Sequence, residues 1–163
     1  MTRWLLLTLA LVLFSLPASA QMRRVAVIDF VNTTKDPAME WIGRGAAETL
    51  TTKLQNAPTL QLVERAHIEQ VLKEQKLNLT DLVDPATAVA VGKLLGAEHL
   101  VVGAYTGFGG MVRFTARFVD TTTGRIIATS QADGAVSGAN PASLFAAFDR
   151  IADAALKSAV TIR

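Results

Sequence analysis

The sequence predicts an α/β fold in which a βαβ unit with parallel strands is followed by an antiparallel three-strand meander, with helices packed on the mixed sheet and a helix at the C-terminal end. Three observations predict it. An apolar, β-branched run covers residues 24–30, as in strands buried on both faces. Apolar residues then recur at helical spacing before a second short apolar run. From His99 onward the period changes to two, the alternation of strands with one wet face.

The first strand is Arg24-Val25-Ala26-Val27-Ile28-Asp29-Phe30, and a polar loop from Asn32 to Asp36 follows it. Met39, Ile42, Ala46, Leu50 and Leu54 form one helical stripe, so the first helix runs to about Gln55. Leu60-Gln61-Leu62-Val63 reads as the second strand, and Ile68, Val71 and Leu72 mark a second helix ending near Gln75. Strand, helix, strand implies parallel pairing with a right-handed crossover. Asp84-Pro85 is a cap followed by proline at the first helical position, and Gly96 is the glycine that closes the third helix. Leu100 to Thr106, Val112 to Phe118 and Arg125 to Gln131 are the meander strands. They are joined by Gly107-Phe108-Gly109-Gly110 and by Asp120 to Gly124, both carrying the glycine that hairpin loops use for positive φ. Asn140-Pro141 repeats the cap-and-proline signal before a last amphipathic helix bearing Leu144, Phe148, Ile151 and Ala155.

Residues 1–20 have the pattern of a cleavable signal peptide. Arg3 supplies the positive start, Trp4 to Leu16 the apolar stretch, and Ala18-Ser19-Ala20 the small-residue cleavage site. The apolar run is shorter than the roughly 20 residues needed to span a bilayer. Cleavage after Ala20 leaves 143 of the 163 residues, the size of one domain over 21–163. It also removes one arginine and no acid, leaving 15 basic against 14 acidic side chains. A near-neutral chain with its cations dispersed gives no case for nucleic acid. With no cysteine, disulfides, thiolate metal sites, a cysteine nucleophile and a lipidated cysteine anchor are all excluded.

Chemistry-bearing constellations are scarce. His67 and His99 have no acidic or histidine partner at ligand spacing, so no metal and no cofactor is expected. Gly43-Arg44-Gly45 lies inside the first helix rather than directly after a strand. It therefore reads as close helix-to-sheet packing and not as a phosphate loop. No nucleophile elbow or Walker loop is present, and the chain is expected not to be an enzyme. In open sheets ligands bind beyond the carboxyl ends of parallel strands, which here present Asn32, Thr33 and Thr34 after the first strand and Glu64 and Arg65 after the second. Asp29 shares the face of Val25 and Val27 and is costly to bury alone, so Arg65 or Arg44 is its expected partner. Trp41 reads either as an exposed anchor for a partner or, beside Ile42, as a core residue. The bland alternative for the strand-end polar residues is capping alone.

The wording of the chain carries a resemblance. Val25 to Asn32, Leu62-Val63-Glu64-Arg65, Leu72 to Leu77, Gly92 to Ala97 and Phe118 to Gly124 together resemble the periplasmic domain of the CsgG family, from about Arg23 to Gly134. That family includes the curli secretion channel. It is similar in fold to the amino-terminal domain of TolB-like proteins and to lipoproteins that activate penicillin-binding proteins. The resemblance implies a non-catalytic periplasmic protein that binds envelope proteins, whether secretion, flagellar or cell-wall assembly components. It admits a homo-oligomer and association with the outer membrane through a partner. The channel's lipidated cysteine and membrane-spanning hairpins have no counterpart here, so membrane insertion is not implied. The alternative expectation is a module binding a nucleotide-like or cell-wall fragment at the strand-end edge.

Overall fold

In the computed structural model, residues 22–136 and 142–161 are described. The strands are β1 (Arg23–Val27), β2 (Val31–Asn32), β3 (Leu60–Leu62), β4 (His99–Phe108), β5 (Met111–Asp120) and β6 (Ile126–Ala135). The helices are α1 (Glu40–Leu54), α2 (Arg65–Glu74), α3 (Pro85–Leu94) and α4 (Ala142–Thr161), with short 3-10 segments at Pro37–Met39 and Leu79–Val83. One mixed sheet runs β3-β1-β4-β5-β6, and β2 pairs with β4 off this path. The β1/β3, β1/β4 and β2/β4 pairs are parallel, while β4/β5 and β5/β6 are antiparallel. This is the mixed α/β architecture the sequence predicts.

The two faces are covered unequally. Val25, Val27, Val101, Tyr105, Phe114 and Phe118 pack beneath Ile42 and Leu50 of α1 and Phe148 and Ile151 of α4. On the opposite face, Ala26, Ile28, Leu100 and Val102 meet Ile68 and Val71 of α2 and Val91 of α3. That second layer leaves most of β5 and β6 uncovered, so Arg113, Thr115, Thr129 and Gln131 stand on an open sheet face in a polar pattern.

Several boundaries depart from expectation for local reasons. The first strand ends at Val27, not Phe30. The Ile28 amide still donates to Val101, but the Phe30 amide turns to the Gly43 carbonyl of α1. Phe30 thereby joins the core layer of Val25 and Val27, one residue out of alternation. Asp29 is released from the face the sequence assigned to it. The two-residue strand β2 is recovered from the polar loop because Thr33 continues its pairing by donating to Tyr105. Both meander strands about the first hairpin are longer than predicted, since Gly109 and Gly110, with φ of 55° and 79°, form a two-residue turn between Phe108 and Met111. β6 extends four residues past Gln131. Asn140-Pro141 lies outside the described residues. Among those described, no helix is long and apolar enough to cross a membrane.

Candidate functional site

The strand directions bring the carboxyl ends of β1 to β4 and of β6, the first turns of α1, α2 and α4, and the β4–β5 hairpin tip to one pole of the sheet. All the sequence-predicted site residues stand at this pole, in two polar groups with Trp41 apart from both. The first is an ion-pair bridge. Arg65, first residue of α2, donates from Nη1 to Asp29 Oδ1 at 2.6 Å and from Nε to Glu48 Oε1 of α1 at 2.7 Å. Arg65 is the partner expected for Asp29, whereas Arg44 is exposed on α1. Burial opposes the charge on Arg65, but the bonds and charges of Asp29 and Glu48 outweigh it and hold its pKa above the usual value. Glu64 precedes it as the N-cap of α2 without a side-chain capping bond, and is exposed.

The second group is the loop after β2. Asn32 Oδ1 accepts from the amides of Thr34 and Lys35, and its Nδ2 donates to the Asp36 carbonyl and to Glu40 Oε1. Thr33 Oγ1 donates to the Tyr105 carbonyl and shares a 2.5 Å bond with the Thr106 hydroxyl, while Thr34 Oγ1 accepts from the Gly107 amide. These hydroxyl and amide groups are therefore committed to fixing the entry to α1 against the end of β4. That is the capping role polar strand-end residues often have. Tyr105 completes the clamp. Its hydroxyl donates to the Met39 carbonyl at 2.7 Å, and burial, reinforced by the Glu40 charge and opposed by a Gly43 backbone bond, raises its pKa to about 12.

Large apolar side chains also stand open at this pole, alongside the exposed polar ones. Trp41 is 54% exposed, which sets aside the core reading, and Phe108 at the hairpin tip is 85% exposed. Met111 and Phe145 are each about half exposed. The α1–α4 pair is parallel, and Gly45 meets the Phe148 ring. Trp41 and Phe145 each stand one turn before that contact on the same end of the two helices. At the β4–β5 hairpin a groove of about 510 Å³ is lined by Thr106, Phe108, Met111, Val112, Arg113 and Asp133. Arg113 closes one wall with a bidentate pair to Asp133, both bonds 2.8 Å. Phe108, Met111 and Phe145 were not singled out by sequence reasoning. The available signal was a phenylalanine set between glycines in a hairpin loop, where no core can receive it. Among the described residues, no three His, Asp or Glu side chains gather to hold a metal ion.

The family model described as the curli production assembly/transport component CsgG matches residues 8–116. The chain belongs to the CsgG family. No curated protein sequence matches it. Among solved structures it is similar to the LpoB C-terminal domain from Salmonella enterica, at 19% identity over 69% of this chain and 82% of that one, with a TM-score of 0.57. It is also similar to the lipoprotein GNA1162 from Neisseria meningitidis, at 18% identity over 85% and 96% of the two chains, TM-score 0.61. A third likeness is to a PelC dodecamer from Paraburkholderia phytofirmans, at 18% identity over 84% and 88%, TM-score 0.50. At these identities the likeness establishes the CsgG-type fold.

Proposed function

We propose that this CsgG-family chain is an exported, non-catalytic accessory protein of the cell envelope that acts by binding another envelope protein through its apolar pole. The observation that carries the reading is the gathering of Trp41, Phe108, Met111 and Phe145, all substantially exposed, at one end of the domain. Aromatic and methionine side chains are the types enriched at protein contacts, and neither the half-exposed Trp41 nor the hairpin-tip Phe108 belongs to either core layer. The polar strand-end residues, by contrast, hold the pole in shape. Export with cleavage after Ala20 and a location in the periplasm complete the reading. A secretion, flagellar or cell-wall assembly component is the class of partner in view, in keeping with the assembly/transport description of the family.

The test is capture from crosslinked envelopes with the tagged mature protein, comparing wild type with Trp41→Ser/Phe108→Ser. The expected result is one or more envelope proteins recovered by wild type and lost from the variant, with an unchanged melting temperature. Equal recovery by both proteins overturns this surface assignment.

The groove supports a second reading, a small-ligand module, because about 510 Å³ lies in the range of small-molecule pockets, roughly 300–1,000 Å³. The hollow beside Asp29 and Arg65 encloses only about 50 Å³. Saturable thermal stabilisation by a nucleotide or a cell-wall fragment, abolished by Arg113→Ala, would favour this reading over the first.

A further inference from the structure

The long free edge of the sheet is β6, and its hydrogen-bonding groups can be assigned one by one. The Val136 amide donates to the Gly110 carbonyl, so even-numbered residues beyond the β6 bulge face β5. Odd-numbered residues face outward. Two of these are already capped by α4. The Asp133 carbonyl accepts from Arg150 Nη2, and the Ala135 amide and carbonyl both bond the Ser143 hydroxyl. At the other end, the register shift opposite Phe118 and Val119 interrupts the alternation at Ile127. Between these limits the amides and carbonyls of Thr129 and Gln131 face outward, with no partner among the described residues.

Edges of this kind are normally blunted by lysine, proline or an unpaired charge. The stretch from Ile126 to Ala135 has no lysine, arginine or proline, and its one acid, Asp133, is neutralised by Arg113. The protection that does exist, from Arg150 and Ser143, is confined to the last three residues.

We propose that this segment pairs with the same segment of a second copy of the chain, antiparallel and about a two-fold axis through Ser130. The free groups select this occupant because they are self-complementary. With Ser130 opposite Ser130, Thr129 of each chain lies opposite Gln131 of the other. The four amides and carbonyls on each side are then all satisfied, and the ladder stops where the α4 caps and the bulge begin. No like charges are opposed, since Asp133 falls opposite Ile127. Side chains across the new ladder are small or polar, with Ser130, Ala128 and Ala132 on the α4 face. The inference is independent of the apolar pole, which remains available to a different protein.

The absence of cysteine makes the test direct. Even-numbered residues form the non-hydrogen-bonded pairs of the new ladder, so the two Ser130 Cα atoms would lie about 4.5 Å apart, within the roughly 4.4–6.8 Å a disulfide spans. Ser130→Cys in the mature protein should oxidise to a covalent dimer much faster than Ala66→Cys on the exposed side of α2. By sedimentation, wild type should be dimeric at high concentration, Thr129→Glu/Gln131→Glu monomeric, and Thr129→Glu/Gln131→Lys dimeric again, because the last places opposite charges across the axis. Circular dichroism and melting of the double variants separate loss of pairing from loss of fold. A wild-type chain that stays monomeric at high concentration, assembly that persists in Thr129→Glu/Gln131→Glu, or equal oxidation of the two cysteine variants overturns the proposal.

Discussion

Arg65 at the start of α2 and Asp29 just beyond β1 meet at 2.6 Å, each with about a quarter of its side chain exposed, and so tie the second crossover, which follows β3, to the end of the neighbouring strand β1.

The pair is structural, so Asp29→Ala should lower stability rather than act only on binding. Arg65 keeps Glu48 as a second acceptor, which limits the loss to about 1 kcal/mol for a partly exposed pair. A fall in Tm of about 2–6 °C is expected for a domain of this size. An unchanged melt would mean that the carboxylate does not hold the fold.

Two glycines one turn-half apart on α1 should respond oppositely. A Cβ on Gly43 would lie 2.1 Å from the Phe30 carbonyl oxygen, a backbone atom that cannot step aside, whereas at Gly45 the nearest atom is on the Phe148 ring at 3.5 Å. Gly43→Ala should cost about 3 kcal/mol or more by overpacking. Gly45→Ala should be neutral or stabilising by up to about 1 kcal/mol through helix propensity. Urea midpoints of the two variants give the comparison, and equal midpoints would contradict the geometry.

Gly43 also shows what was legible in the sequence. Its position inside a helix stripe was enough to reject a phosphate loop and to require close packing, because helical period and strand distance are local properties. The parallel βαβ unit, the meander and the α3 caps were readable for the same reason. Asp29 was placed on the wrong face because alternation holds only while a strand continues, and the Phe30 amide leaves it to bond Gly43 in α1. Strand β2 was missed because its pairing depends on Tyr105, distant in sequence. At the pole, the strand-end rule brings Asn32, Thr33 and Thr34 together, but their bonds to Glu40, Thr106 and Gly107 are tertiary. The exposure of Phe108 likewise follows from which part of the sheet α2 and α3 leave bare.

His99, at the first residue of β4, should set the upper pH limit of acid sensitivity. Burial lowers its pKa, Arg23 lowers it further, and Asp120 and Glu98 oppose these effects only in part. The unfolded chain therefore binds a proton at His99 before the folded one does. Stability is complete above the ordinary value of about 6.5 and falls as pH drops from there towards the depressed folded value. His99→Gln should flatten that loss in urea midpoints measured on either side of it. Asp120, whose carboxyl is pulled down chiefly by the Thr123 amide and also by Thr122, contributes in a separate window below about 3.9. A loss of equal size below about 6.5 in the variant would assign the sensitivity elsewhere.

Tyr105 is the only tyrosine in the chain, so phenolate absorbance reads this side chain alone. Burial, with help from Glu40, raises its pKa to about 12. The folded protein then retains the phenolic proton in a range where the unfolded chain, with a value near about 10, has lost it. Stability should fall as pH rises between those two values, and the absorbance change should track loss of far-ultraviolet circular dichroism instead of preceding it. Tyr105→Phe removes the donor to the Met39 carbonyl and should cost about 1 kcal/mol near neutral pH, while abolishing the absorbance transition. A phenolate appearing near about 10 with the fold intact would mean that the hydroxyl is reached by solvent, and that the clamp between α1 and β4 is not closed.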